Sequence, residues 1–366
     1  MKRGYDHFCI FVAKMMKKNI RIKDIAEMAQ VSMGTVDRVL HRRGKVSASA
    51  EAKVVRVLKE INYRPNVVAK ALSKVQTCPI AVLMPHPDTD PYWIKSQRGV
   101  EEAERQLEAF GVETRCFFFD PYRSESFRKQ ATQALAFAPR GVLLAPLLQQ
   151  ESLGFARQCQ QQSLPVVCFN TYIEALPSAA FVGQNLQQSG RVAAELMMMG
   201  PALQLVIVLH IAEHAQNSAH LYAKEQGFRQ YFAEQTQAPK QLITLEVDHP
   251  GTATFEQQLE QKLGAYENID GIFITTAKTY ALIPYLEKRK MNPCRIIGYD
   301  LTDFNVSYLR QGAIDILIHQ EIQQQAFIGV SYLADQLVFG QKIPAIKHLP
   351  LGIVTRENLD SYLPTD

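Results

Sequence analysis

"VSMGTVDRVLHRRGK", residues 31–45, opens like a short helix and closes on a basic loop that carries Arg42, Arg43 and Lys45. Ser32 is a suitable N-cap, because its hydroxyl can accept from an unpaired N–H of the first turn. Val36, Val39 and Leu40 then fall on one side, and Met33, Gly34, Asp37 and Arg38 on the other. Upstream, "IRIKDIAEMAQ" spaces Ile22, Ile25, Ala26 and Ala29 at i, i+3, i+4 and i+7, which predicts a helix with one apolar stripe. Downstream of "RRGKVS" a third helix is predicted, capped by Ser47, with Ala50, Val54, Val57, Leu58 and Ile61 facing inward. Two short helices joined by a tight turn, with a third closing the core, is the helix-turn-helix layout. On periodicity alone, a three-helix bundle with a solvated basic face fits equally well.

Charge distinguishes this head from the rest. The net charge of +4 over 366 residues hides 17 Lys and Arg against 6 Asp and Glu in residues 1–78, and 23 against 30 in the remainder. A basic head on an acidic body points to a polyanionic partner for the head. The composition, 47% hydrophobic and 21% charged, is that of a globular protein long enough for two or three domains. Cys9, Cys78, Cys116, Cys159, Cys168 and Cys294 form no CxxC pair, which argues against a zinc cage or a disulfide framework and fits a cytoplasmic protein. No metal or cofactor is expected. The start, "MKRGYDHFCIFVAKMMKKN", mimics a signal peptide, but its apolar core of six residues is too short and no small-residue cleavage site follows. Residues 1–19 read as a disordered leader, and no run approaches the ~18 apolar residues of a membrane span.

After the third helix, Pro65 in "NYRPNVVAKALSKV" pushes Arg64 out of helical conformation and sets off a further short helix, with Val68, Ala69 and Leu72 on one side. Such a piece is too short to hold alone in water. Residues 20–74 resemble the DNA-binding head and hinge of the lac repressor/galactose repressor family of bacterial transcription regulators. The motifs "IKDIAEMAQVSMGTVDRVL", "RRGKVS" and "YRPNVVAKAL" carry the likeness, in order and spacing. The resemblance implies that residues 33–41 enter the DNA major groove. Met33 and Gly34 would lie at the entering end, with Thr35, Asp37 and Arg38 on phosphate or base edges. A guanidinium forked onto guanine is worth about 1–3 kcal/mol of discrimination. Lys23, Ser32, His41, Arg42, Arg43 and Lys45 would hold phosphates, which position without specifying. Leu72 would pry open a minor-groove step, Ala69 would let two hinge helices approach, and Asn66 would touch the backbone. The sequence departs from the family at Gln30, usually glycine, and at Asp37, usually serine; an acid near phosphate is unfavourable unless it accepts from a cytosine amino group or pairs with Arg38.

From Ile80 onward, strand-like runs ("IAVLMP", "VETRCFFF", "GVLLAP", "PVVCFN", then "LQLVIVLH", "KQLITLEV", "GIFITT", "RIIGYD", "IDILIHQ") alternate with helical patterns. This predicts α/β architecture with two doubly wound parallel sheets, whose ligands sit beyond the carboxyl ends of the strands. Residues 79–366 resemble the periplasmic-binding-protein-like, sugar-binding module of the same family. The resemblance implies that Tyr92 and Trp93 of "DPYW" stack on a sugar ring, that Asp300 of "IIGYD" takes ring hydroxyls, and that Gln320 touches the ligand. Lys224 of "AKEQGF" stands where arginine is usual, and Asn170 and Asn217 follow strands. Each has a plainer reading: Tyr92 and Trp93 as core, Asp300 as a helix cap, Asn170 as a turn residue. The expected lobes are residues 79–172 with 301–325, and 173–300 with 326–366. The expected boundaries before them are 20–63 for the DNA-binding domain and 64–78 for hinge and linker.

The sequence admits three other readings. "HIAEH" (His210, Glu213, His214) has zinc-protease spacing, but it directly follows a strand-like run, so the two histidines do not share a helical turn. No G-x-G-x-x-G follows the first strand and no phosphate loop or G-x-S-x-G occurs, so an α/β enzyme is not expected. A transport-type sugar-binding protein would have no use for the basic head. The sequence therefore predicts a homodimeric regulator, a repressor of a palindromic operator, controlled by a small sugar-like effector.

Overall fold

The computed structural model describes residues 22–41, 43–60, 76–177, 180–211, 218–290 and 294–363. The chain divides into a head, Met1–Lys74, and a body, Val75–Asp366. The leader, Arg42, Asn66, Ala69, Leu72, Glu213, His214 and Asn217 lie outside the described residues.

In the head, α1 (Ile22–Ala29), α2 (Met33–His41) and α3 (Ala48–Glu60) close around Ile25, Val36 and Val54, with Val39, Leu40 and Leu58 packed at the margin. Ser32 Oγ accepts from Thr35 N–H at 3.2 Å, and Ser47 Oγ from Ala50 N–H at 3.3 Å, so both expected caps form. Gln30, in the turn, is left-handed at φ 53°. An L-residue there costs about 1–2 kcal/mol, which is why glycine suits this corner better.

The first lobe of the body is a parallel sheet in the order β11-β5-β4-β3-β1-β2. Its strands are β1 (Cys78–Pro85), β2 (Val112–Phe119), β3 (Gly141–Leu144), β4 (Val166–Phe169), β5 (Ala180–Gly183) and β11 (Ile346–His348). The inner strands read as unbroken apolar runs because helices cover both faces. Phe127 of α5 (Ser124–Ala136) and Phe155 of α6 (Gln149–Gln161) share a core with Val142 and Leu144. Leu143 points the other way, toward the face where α4 (Ile94–Leu107) and α12 (Ile322–Leu337) pack together, and meets Gly329.

The second lobe is a sheet in the order β12-β10-β9-β8-β6-β7, with β12 (Gly352–Val354) antiparallel to β10 (Ile316–His319) and the rest parallel. The others are β6 (Leu205–Ile211), β7 (Gln241–Val247), β8 (Gly271–Ile274) and β9 (Arg295–Tyr299). On one face α7 (Leu186–Met198) and α8 (Ala219–Ala233) pack Ala194, Met197, Phe228 and Phe232 onto Val208, Phe273 and Tyr299. The other face is covered by α9 (Phe255–Lys262), α10 (Ile283–Arg289) and α11 (Asp303–Gln311). The α7–α8 crossing is close because two glycines meet backbone: a Cβ on Gly190 would lie 1.8 Å from Lys224 O, and one on Gly227 1.9 Å from Gln187 O.

These sheets correct the expected lobe limits. Residues 180–183 belong to the first lobe, 303–319 to the second, and α12 with β11 return to the first. The chain thus crosses between lobes three times, after β5, β10 and β11. The expected limits failed because a two-residue connection leaves no break in the apolar pattern. Gln184, 1% exposed, ties the crossings together: its Nε2 donates to His319 O (2.9 Å) and Pro350 O (2.7 Å). Among the described residues no helix is long and apolar enough to cross a membrane.

Candidate functional site

On the head, α2 presents Met33, 56% exposed, together with exposed Gly34, Asp37 and Arg38. Lys23, Ser32, Arg43 and Lys45 are exposed as well, and Thr35 is half-buried with its Oγ1 hydrogen-bonded to Ser32 Oγ at 2.9 Å. Gly34 adds no side chain to this surface, and the Arg38 guanidinium reaches within 3.9 Å of where its Cβ would be. The helix therefore offers one thioether, one guanidinium, one carboxylate and the paired hydroxyls of its first turn.

In the body, the carboxyl ends of both sheets converge on a cleft lined by Tyr92, Trp93, Asn170, Lys224, Asp300 and Gln320. Five of these, Tyr92, Trp93, Asn170, Asp300 and Gln320, follow strand ends, and Lys224, expected from its motif, joins them from α8; Asn217 lies outside the described residues. Asn170 (φ 69°), Asp300 (φ 65°) and Glu321 (φ 52°) are all left-handed, a strain typical of positions where backbone is bent to aim side chains at a site. Thr302, not Asp300, caps α11, accepting from Asn305 N–H at 3.3 Å. That leaves the Asp300 carboxylate to accept from Gln320 N–H (3.0 Å) and Nε2 (2.6 Å).

A buried amide chain then crosses from lobe to lobe. Gln325 Nε2 donates to Gln320 O (2.7 Å), Gln325 Oε1 accepts from Asn170 N–H (2.9 Å), and Asn170 Nδ2 donates to Tyr92 Oη (2.8 Å). Burial, with the Asp300 and Asp90 charges, holds the Tyr92 phenol well above its usual pKa, so it stays protonated. Trp93, 2% exposed, meets Tyr92 and Phe169 edge to face; it borders the cleft while belonging to the packing. Lys224 Nζ donates to Thr275 O (2.9 Å) and lies 3.6 Å from the Tyr299 ring centroid, a desolvated cation–π contact.

Sequence reasoning missed the ion pair between Asp90 Oδ2 in the first lobe and Lys278 Nζ in the second, 2.7 Å apart with side chains 14% and 8% exposed. Lys278 closes the segment after β8 and was open to the same strand-end rule. His220, Thr275 and Thr276 also line the cleft. His210, from the zinc-like spacing, is fully buried, with Nδ1 2.6 Å from Thr275 Oγ1 and Nε2 2.8 Å from Glu225. Both ring nitrogens are thus engaged by protein. Burial opposes ionisation of Glu225, but hydrogen bonds from His210, Thr244 and Arg229 outweigh it and bring its pKa down to about 2.

A helix-turn-helix head whose exposed second helix runs into a basic loop, in one chain with a two-lobed polar cleft, defines a DNA-binding regulator with a ligand-sensing domain. Residues 21–66 match the model of bacterial regulatory proteins of the lacI family, and residues 80–342 that of the periplasmic binding protein domain. The chain thus joins a lacI-family DNA-binding head to a periplasmic binding protein domain that spans most of its length. It is similar to the ribose operon repressors of Halalkalibacterium halodurans (26% identity, 76% of this chain, 80% of that one) and Bacillus subtilis (24%, 76% and 81%). Among solved structures it resembles a putative LacI transcriptional regulator from Bacteroides fragilis, with TM-score 0.73 and 28% identity over 79% of this chain and all of that one. A solute-binding protein from Burkholderia graminis in complex with D-arabinose shares the fold, at TM-score 0.70 and 17% identity over 80% of this chain and 99% of that one.

Proposed function

We propose that this chain is a cytoplasmic, homodimeric repressor whose affinity for a palindromic operator is set by a small sugar-like metabolite in the cleft. Met33, Gly34, Thr35, Asp37 and Arg38 read base edges and nearby phosphates, and Lys23, Ser32, Arg42 and Arg43 hold the backbone. Asn66, Ala69 and Leu72 serve the hinge. Tyr92, Trp93, Asn170, Asn217, Lys224, Asp300 and Gln320 form the effector site. The similarity to ribose operon repressors supports a sugar-type ligand.

The carrying observation is the amide chain from Asp300 through Gln320 and Gln325 to Asn170. Gln320 lies in a lobe crossing and touches the carboxylate placed to accept ligand hydroxyls. A ligand that competes for Asp300 therefore acts directly on the crossing, and lobe rotation changes the spacing of the two hinges in the dimer. Such coupling is typically worth about 1–3 kcal/mol in operator affinity.

Retardation of a fragment of the protein's own promoter region, across a salt series with and without pentoses and hexoses, tests this. The expected result is steep loss of affinity with salt, plus a sugar-dependent shift in retention. A salt slope near zero would refute phosphate-driven binding, and retention indifferent to every sugar would refute the effector assignment.

A further inference from the structure

The cleft between the lobes has two chambers. The inner one, where Asp300, Gln320 and Asn170 converge, is about 40 Å³, room for about one water. The outer one is about 460 Å³, inside the range of roughly 300–1,000 Å³ typical of small-molecule sites. Leu147 forms wall in both, so they adjoin.

The outer chamber is built from both lobes. Tyr122 and Ser124 come from the loop after β2 and the start of α5; Asp248, His249 and Thr252 come from the loop after β7, and Gln258 from α9. The Tyr122 and His249 rings stack across the lobe boundary, centroids 4.9 Å apart and planes 17° from parallel. The Asp248 carboxylate is held by Thr254 Oγ1 (2.7 Å) and Gln258 Nε2 (2.7 Å), and Asp248 N–H donates to Gln258 Oε1 (2.8 Å). A flat aromatic surface beside a rigidly oriented carboxylate and amide suits a second sugar ring: C–H faces meet the ring, and hydroxyls meet the planar acceptors. A simple passage for solvent requires neither the inter-lobe stack nor a carboxylate with two donors fixing it.

We propose that the outer chamber is a second sugar subsite, so that the effector is a disaccharide or glycoside rather than a single ring. This rests on the reading of the cleft as a sugar site. One ring engages Asp300 and Asn170 as the lobes part, and the linked ring lies against the His249 ring with its hydroxyls on Asp248 and Gln258.

The sequence's single tryptophan, Trp93, borders the inner chamber and reports occupancy by its fluorescence. The full-length protein is titrated with D-ribose, D-xylose, D-glucose and D-galactose, then with maltose, cellobiose, sucrose, trehalose and melibiose. At least one disaccharide is expected to bind about tenfold or more tighter than either of its component sugars. His249→Ala should remove most of that advantage and leave the monosaccharide constants within about twofold. His249→Phe, which keeps a stacking ring, should restore part of it, and unchanged thermal midpoints exclude a folding defect. A monosaccharide that binds as tightly as every disaccharide overturns the second subsite alone. Equal losses for both sugar sizes in His249→Ala overturn it too. No response to any sugar of either size overturns the sugar reading of the cleft, and the subsite with it.

Discussion

Replacing Lys278 with methionine probes what holds the two lobes together. The ammonium lies 2.7 Å from Asp90 Oδ2, with side chains 8% and 14% exposed, so both charges have left water and each depends on the other. Methionine keeps most of the stem but leaves the Asp90 carboxylate buried without this partner, a loss typically worth about 3–5 kcal/mol. Part of that is recovered when the lobes part and Asp90 regains water. Recovery of half the lower figure already multiplies the open-to-closed ratio by about ten, since each 1.4 kcal/mol is a factor of ten. Trp93, beside the pair at 2% exposure, then becomes accessible to solvent. Acrylamide quenching of its fluorescence should rise several-fold in Lys278→Met, and the radius of gyration should increase. Asp90→Asn combined with Lys278→Met removes both charges and should return quenching close to wild type. If the single substitution leaves quenching unchanged, or the double one quenches as strongly as the single, the ion pair is not what closes the cleft.

Three further outcomes are expected. Gln30→Gly relieves the left-handed turn at the cost of some unfolded-chain entropy, so amide exchange in α1 and α2 should slow by an amount equal to about 0.5–1 kcal/mol. Gly227→Ala places a methyl 1.9 Å from Gln187 O, too close for backbone to yield cheaply; urea unfolding should show a loss of about 2 kcal/mol or more, with weaker sugar binding as Lys224 shifts. Glu225 titrates near 2 when folded against 4.5 as its ordinary value, so its contribution is complete above pH 4.5 and is lost as pH falls toward 2. Over that window the wild type should lose on the order of 3 kcal/mol more than Glu225→Gln in denaturant unfolding.

Much of the cleft was legible from one rule, that ligands of parallel sheets gather beyond the strand ends. It picked out Tyr92, Asn170, Asp300 and Gln320 because each follows an apolar run. It did not reveal the buried glutamines. Gln184 and Gln325 are 1% and 0% exposed, yet glutamine is ordinarily a surface residue, and only the fold shows which carbonyls they bridge. The Asp90–Lys278 contact joins positions 188 apart in sequence, and nothing in either segment names the other. The lobe limits failed for a related reason. The pattern "IQQQAFIGVSYLADQL" announces a helix with an apolar side but not which of two sheets it will cover. In the head, by contrast, local signals sufficed: caps, stripe and turn all lie within some forty consecutive residues.

The three lobe crossings also bear on biosynthesis. The first sheet has five of its six strands once Gly183 has been made, but α12, which packs on Leu143, begins only at Ile322. At roughly 5–20 residues per second, translation takes on the order of ten to thirty seconds to cover that interval. Throughout it, the nascent first lobe shows an apolar face only partly covered, by Ile94–Leu107, while the second lobe is still emerging. The described core of the head lies within residues 22–60, so on each ribosome the part that binds DNA is made well before the part that governs it.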